Sequence, residues 1–180
     1  MPPSFNLPFV LSVAGAFLTS AVVAVTYVWP ALRAMPRYDA LRLLAAFHAF
    51  RFLGMNFMVA GFVSPQLNAD FAGQVGWGDL IAAALALIAM AALSWRWSIA
   101  IPMVWIFNVW GTLDLLNAYY MGVKIGDPGL FGAGIYIPAL YVPLLLVSHV
   151  MVFMILAQRA SAEARDGSSD AAPVNPSAVR

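Results

Sequence analysis

The chain contains no cysteine, which excludes disulfide staples, thiolate nucleophiles, and zinc or iron–sulfur sites built on Cys ligands. Charge is nearly as scarce. Asp, Glu, Lys and Arg make up 9% of the 180 residues, against roughly a quarter in an ordinary soluble domain. Strong charge of either sign is missing too: the formal net charge is +1, and the basic residues stand singly, away from aromatic clusters, so no nucleic-acid partner is expected. Only two histidines are present. No nucleophile motif, metal triad or phosphate-binding loop occurs, so no metal site is indicated and an enzyme, with a His or Asp114 as general acid or base, is the less expected class.

What is abundant is apolar length. Hydrophobic residues make up 63% of the chain and its mean hydropathy is +0.84. They fall into runs of the ~20 residues that a helix needs to cross ~30 Å of hydrocarbon. Five such runs are read from the sequence: Phe9 to Trp29, Tyr38 to Val63, Asp79 to Trp95, Ser98 to Tyr120 and Ile135 to Gln158. The expected fold is therefore all-α, a polytopic bundle of five transmembrane helices forming a single domain over residues 1–159.

Breaks between the runs carry their own signals. Met1 to Pro8 lacks the basic stretch of a secretory signal, so the first run is expected to be retained as a span. Residues 66–78 hold Asn68, Asp70, Gln74 and three glycines, with Phe71, Val75 and Trp77 spaced as an apolar edge, and are expected to lie at the outer membrane surface. Arg96-Trp97-Ser98 makes a tight hairpin of runs three and four. Pro138 and Pro143 predict a kink in run five. Residues 160–180, rich in Ser, Ala, Asp, Gly, Asn and Pro, are expected to form a disordered cytoplasmic tail.

Orientation follows from the basic residues, which short cytoplasmic loops retain during insertion. With five crossings, Arg33, Arg37, Arg42, Arg96, Arg159, Arg165 and Arg180 share one side, and Lys124 alone falls on the other. The expectation is an N-terminus outside, a C-terminus in the cytoplasm, and residence in a bacterial cytoplasmic (inner) membrane.

Ionisable residues inside membrane runs are costly, at least ~2.5 kcal/mol at mid-bilayer, and they tend to face the bundle interior in pairs. Arg51 and Asp114 are the two charged residues well inside runs. At ~1.5 Å per residue from the cytoplasmic ends, His48, Asn108 and His149 fall at depths of ~15, ~15 and ~14 Å, with Arg51 at ~20 Å and Asp114 at ~24 Å. Three helices thus contribute to two adjacent polar layers. Arg51 and Asp114 are expected to pair, His48 and His149 to be their titratable neighbours, and Asn108 and Asn117 to be orienting groups. On run two, His48 and Arg51 should share a face with Met55 and, more loosely, Met58.

A pocket of this kind would bind or transport a small lipid-soluble or anionic molecule, with a quinone or isoprenoid-like lipid fitting the Met and aromatic residues nearby and Arg51 facing an anionic group. Two alternatives follow from the same residues. His48 and His149 at matching depth could ligate a b-type haem as an electron carrier, or the polar groups could serve only to fix helix packing in a structural or accessory subunit. Beyond the bilayer, a homo-oligomer or a larger membrane complex would be the partners.

Overall fold

The computed structural model describes residues 6–169. Helix α1 spans Leu7–Ala34. Asn6 caps it, accepting a bond from the Phe9 amide at 3.1 Å, with Pro8 in the first turn. Pro30 sits inside the helix without an amide hydrogen. The chain accommodates it by a π-helical turn at Ala24–Val28, where the Trp29 amide bonds back to the Ala24 carbonyl, so the helix continues beyond Trp29.

Helix α2 covers Arg37–His48, and the chain then narrows into a 3-10 helix over Ala49–Met58. Run two is therefore not one regular α-helix. Helix α3 spans Ala69–Ser94, so its first turns take in most of the segment between runs two and three. Asn68 explains that start, because its side chain accepts the amides of Asp70 and Phe71 at 2.7 and 3.2 Å. Helix α4 covers Ala100–Ile125 and ends on Gly126 in the left-handed conformation. A 3-10 segment, Pro128–Ile135, and a π-turn, Ile137–Tyr141, lead into helix α5, Val142–Ser169.

The backbone of α5 thus runs past residue 160, where the tail was expected to begin; residues 170–180 lie outside the described residues. The expected kink at Pro138 and Pro143 takes the form of the π-turn. In that turn the Val142 amide bonds the Ile137 carbonyl, so the next amide in the series would come from residue 143, a proline. The Tyr119 hydroxyl donates instead to the Pro138 carbonyl, at 2.7 Å.

No strand occurs among the described residues, and the protein is all-helical. By length and composition, three of its helices can cross a membrane: Leu7–Ala34, Ala69–Ser94 and Ile137–Gln158. Helix α4 is as long as α3 but carries Asn108, Asp114 and Asn117. Helix α3 is central, packed against α2, the 3-10 segment and α4. Its fully buried Ala82, Ala86, Ala89 and Ala92 let neighbouring backbones approach closely. Large apolar side chains such as Leu11, Leu18, Val25, Leu113 and Val123 point outward, the inverse of a water-soluble surface.

Contacts between distant elements gather in two regions. At one end Arg37 donates to the Leu156 carbonyl at 3.3 Å, and Arg96 lies 5.7 Å from the Tyr38 ring centre. At the other, Phe9, Phe57, Phe71 and Phe131 gather, with Phe57 edge to face on Phe71 and Phe131 and those two stacked. The α3–α4 turn closes with the Trp97 amide on the Ala92 carbonyl and the Arg96 amide on that of Leu93, which puts Arg96 at a φ of 52°. Glycine usually fills that position.

Candidate functional site

The 3-10 helix sets the site. With three residues per turn, side chains three apart eclipse one another. His48, Arg51, Gly54 and Phe57 form a buried row along it. An α-helical count puts Met55 on that face, whereas the tighter winding puts Gly54 there and leaves Met58 exposed. Ten residues is long for a 3-10 helix, since most end after 3–4 residues, and its buried row coincides with the polar cluster.

Arg51 is 0% exposed, and each of its three guanidinium nitrogens has a partner. Nε donates to Asp79 Oδ1 at 2.8 Å, and Nη2 reaches the same oxygen at 2.6 Å. Nη2 also meets Asp114 Oδ2 at 2.5 Å, while Nη1 donates to the Gly111 carbonyl at 3.1 Å. The expected pairing of Arg51 with Asp114 is present. Its other partner, Asp79, begins run three in the sequence reading but lies two to three turns inside α3.

Three glycines make room for these charges. A Cβ on Gly54 would collide with the Asp79 carboxylate, and one on Gly78 with that of Asp114. A Cβ on Gly111 would stand 2.7 Å from His149 Nε2 and 2.8 Å from Arg51 Nη1. Gly54, Gly78 and Gly111 are thus packing positions that let polar and charged side chains lie against neighbouring backbones.

The second layer lies beside the first. His149 Nδ1 bonds Asn108 Oδ1 at 2.7 Å, and Asn108 Nδ2 donates to the His149 carbonyl at 3.3 Å. This reciprocal pair assigns the Nδ1 proton, because an amide oxygen can only accept. His48 Nε2 meets the Ser148 hydroxyl at 2.5 Å. Among the described residues, His48 Nδ1 and His149 Nε2 have no hydrogen-bond partner. The two imidazoles lie against each other with ring centres 4.0 Å apart, tilted by 35°. That spacing is van der Waals contact, and no porphyrin plane fits between the rings.

Above Arg51 opens a cavity of about 410 Å³. Its walls are largely apolar and aromatic, including Phe9, Phe57, Phe71, Leu115, Tyr119 and Phe131, and Asp79 and Asp114 line its floor. Arg51 does not line it. The second oxygens, Asp79 Oδ2 and Asp114 Oδ1, receive no hydrogen bond from the described residues and lie against the backbones of Gly54 and Gly78.

Of the residues expected at the site, Arg51 and Asp114 meet directly, and His48, Asn108 and His149 form the adjoining layer. Asn117 is exposed and does not line the cavity. Asp79, Gly78, Ser148 and Tyr119 were not anticipated. The signal for Asp79 was its register: Phe71, Val75, Asp79, Ala82 and Ala86 recur every three or four residues on one buried face of α3.

Fold and site together define a class: an all-helical protein with three helices fit to cross a membrane, organised around a buried guanidinium held by two carboxylates. The chain belongs to the family described as Domain of unknown function (DUF8737), which matches residues 8–157 and so spans every residue of the cluster. No curated protein and no solved structure matches it.

Proposed function

We propose that this is a multi-pass protein of the bacterial cytoplasmic membrane, crossing five times, whose intramembrane cavity binds or carries a small lipid-soluble molecule. The observation that carries the reading is the cavity of about 410 Å³ ending on Asp79 and Asp114. Its volume lies within the ~300–1,000 Å³ of small-molecule sites, and apolar walls converging on a few polar groups are characteristic of them. A structure needing only a packing contact has no use for such a space beside its most expensive residues.

Five crossings are supported by the two ends of the bundle. The starts of α2 and α4 and the region of Leu156 on α5 share the end that carries Arg33, Arg37, Arg42 and Arg96, while Lys124 lies toward the other. By the positive-inside rule that basic end faces the cytoplasm. The packing reading keeps a narrower domain. The reciprocal Asn108–His149 pair and the Ser148–His48 contact are satisfied interhelical bonds that fix the register of α2, α4 and α5.

The test is identification of what the protein carries. Native mass spectrometry and lipid extraction of protein purified in mild detergent should recover a small apolar compound with wild type. It should be depleted in Ala118→Trp, which fills the cavity from α4. Equal recovery from both, or none from either, would count against the cavity as a binding site.

A further inference from the structure

We infer that the cavity selects a lipophilic amine in its protonated form: a single ammonium group on an apolar body. This deepens the cavity reading above and rests on it.

The argument begins with charge. One guanidinium faces two carboxylates, so with all three ionised the cluster carries one net negative charge. Among the described residues no basic side chain lines the cavity. Lys124, the basic residue nearest along α4, rests instead 4.1 Å from the Tyr120 ring centre. The excess charge therefore faces the cavity, where a low dielectric strengthens its attraction for a cation.

Next comes access. An anionic ligand would need the guanidinium, but Arg51 is 0% exposed, and three of its nitrogens are engaged by Asp79, Asp114 and Gly111. The charged residues that do line the cavity are Asp79 and Asp114. Both are acceptors, and an ammonium supplies three donors where an alcohol supplies one. The walls agree with this choice, because Phe57, Phe71 and Phe131 stand with ring centres 5.9 to 6.1 Å apart, and aromatic faces attract a desolvated cation while packing its apolar body.

A bare metal ion fits less well. No group of three His, Cys, Asp or Glu suited to a metal occurs among the described residues, and hard cations take about six or more oxygens.

The experiment uses the full chain in nanodiscs of phosphatidylcholine, which carries no net charge to recruit amines. Binding of three probes of one shape, 3-phenylpropylamine, 3-phenylpropan-1-ol and 3-phenylpropanoate, is measured by thermal shift and equilibrium dialysis. The expected order is amine first by about tenfold or more over the alcohol, with the carboxylate last. Asp114→Asn should bring the amine down to the level of the alcohol, and Asp79→Asn provides the same reading should the first variant not fold. An amine no tighter than the alcohol, or a carboxylate bound best, overturns the inference and leaves the cavity reading standing. Failure of all three probes on wild type, or binding unchanged in Ala118→Trp, brings down the cavity reading and the inference with it.

Discussion

Removing the guanidinium should harm the fold far more than removing either carboxylate. Arg51→Met leaves Asp79 and Asp114 close together beside a largely apolar cavity, without the cation that both contact at 2.5 to 2.8 Å. Breaking a buried ion pair from one side costs about 3–5 kcal/mol, because the stranded charge keeps its desolvation penalty. At 1.4 kcal/mol per factor of ten that is a change of roughly two to three and a half orders of magnitude in the folding equilibrium. Asp79→Asn differs in kind. The amide oxygen can still accept from Arg51 Nε, Asp114 still neutralises the guanidinium, and the cluster's charge falls to zero, so about 1 kcal/mol is expected. The triple variant Arg51→Met, Asp79→Asn, Asp114→Asn removes every charge and should recover at least about 2 kcal/mol of the loss in Arg51→Met, the coupling expected of groups in one network. Reversible unfolding in mixed micelles, followed through the chain's six tryptophans, measures all three. An Arg51→Met no worse than Asp79→Asn, or a triple variant no better than Arg51→Met, would refute the charge argument.

Other consequences are smaller. Gly78→Ala should cost about 1–3 kcal/mol because its Cβ would strike the Asp114 carboxylate, whereas Gly73→Ala, in the same helix with open space around it, should gain roughly 0.5–1 kcal/mol; the same unfolding assay compares them. Arg96→Gly relieves the positive φ of 52°, worth about 1 kcal/mol, and loses the contact with Tyr38, worth about 0.5 kcal/mol, so a slightly higher unfolding midpoint is expected. Tyr119→Phe leaves the Pro138 carbonyl without its hydroxyl donor; a loss of about 1–3 kcal/mol should appear together with faster hydrogen exchange around residues 139–142. Asn108→Leu strands the Nδ1 proton of His149 and should cost a similar amount.

Much of the site was legible because membrane burial is so selective. Arg51 and Asp114 stand out in runs of Leu, Phe and Val, and counting depth along ideal helices placed Arg51 within reach of Asp114 and His149 beside His48 and Asn108. The same counting failed where the helix is not ideal. After His48 the backbone winds at three residues per turn, exchanging Met55 for Gly54 on the inner face, and no local composition announces that change. Asp79 was hidden differently. Gly73, Gly76 and Gly78 made the stretch before it look like a loop, yet Gly76 and Gly78 are small because α3 passes close to Met58 and Asp114. The Asn68 cap, with Asp70 in the first turn, marked the true helix start. Asn117 misled by its spacing from Asp114: three residues on, it has already turned to the outside of α4.

The absence of cysteine makes single-cysteine labelling the most direct measurement of whether the Asp79–Asp114 floor ends a ligand-accessible cavity. Ala118→Cys lines that cavity, whereas Ser98→Cys is exposed in the α3–α4 turn. Both should react with a small membrane-permeant maleimide, and saturating 3-phenylpropylamine should slow the reaction at position 118 by about tenfold while leaving position 98 unchanged. Equal protection at both positions, or none at 118 under saturating amine, would contradict the account.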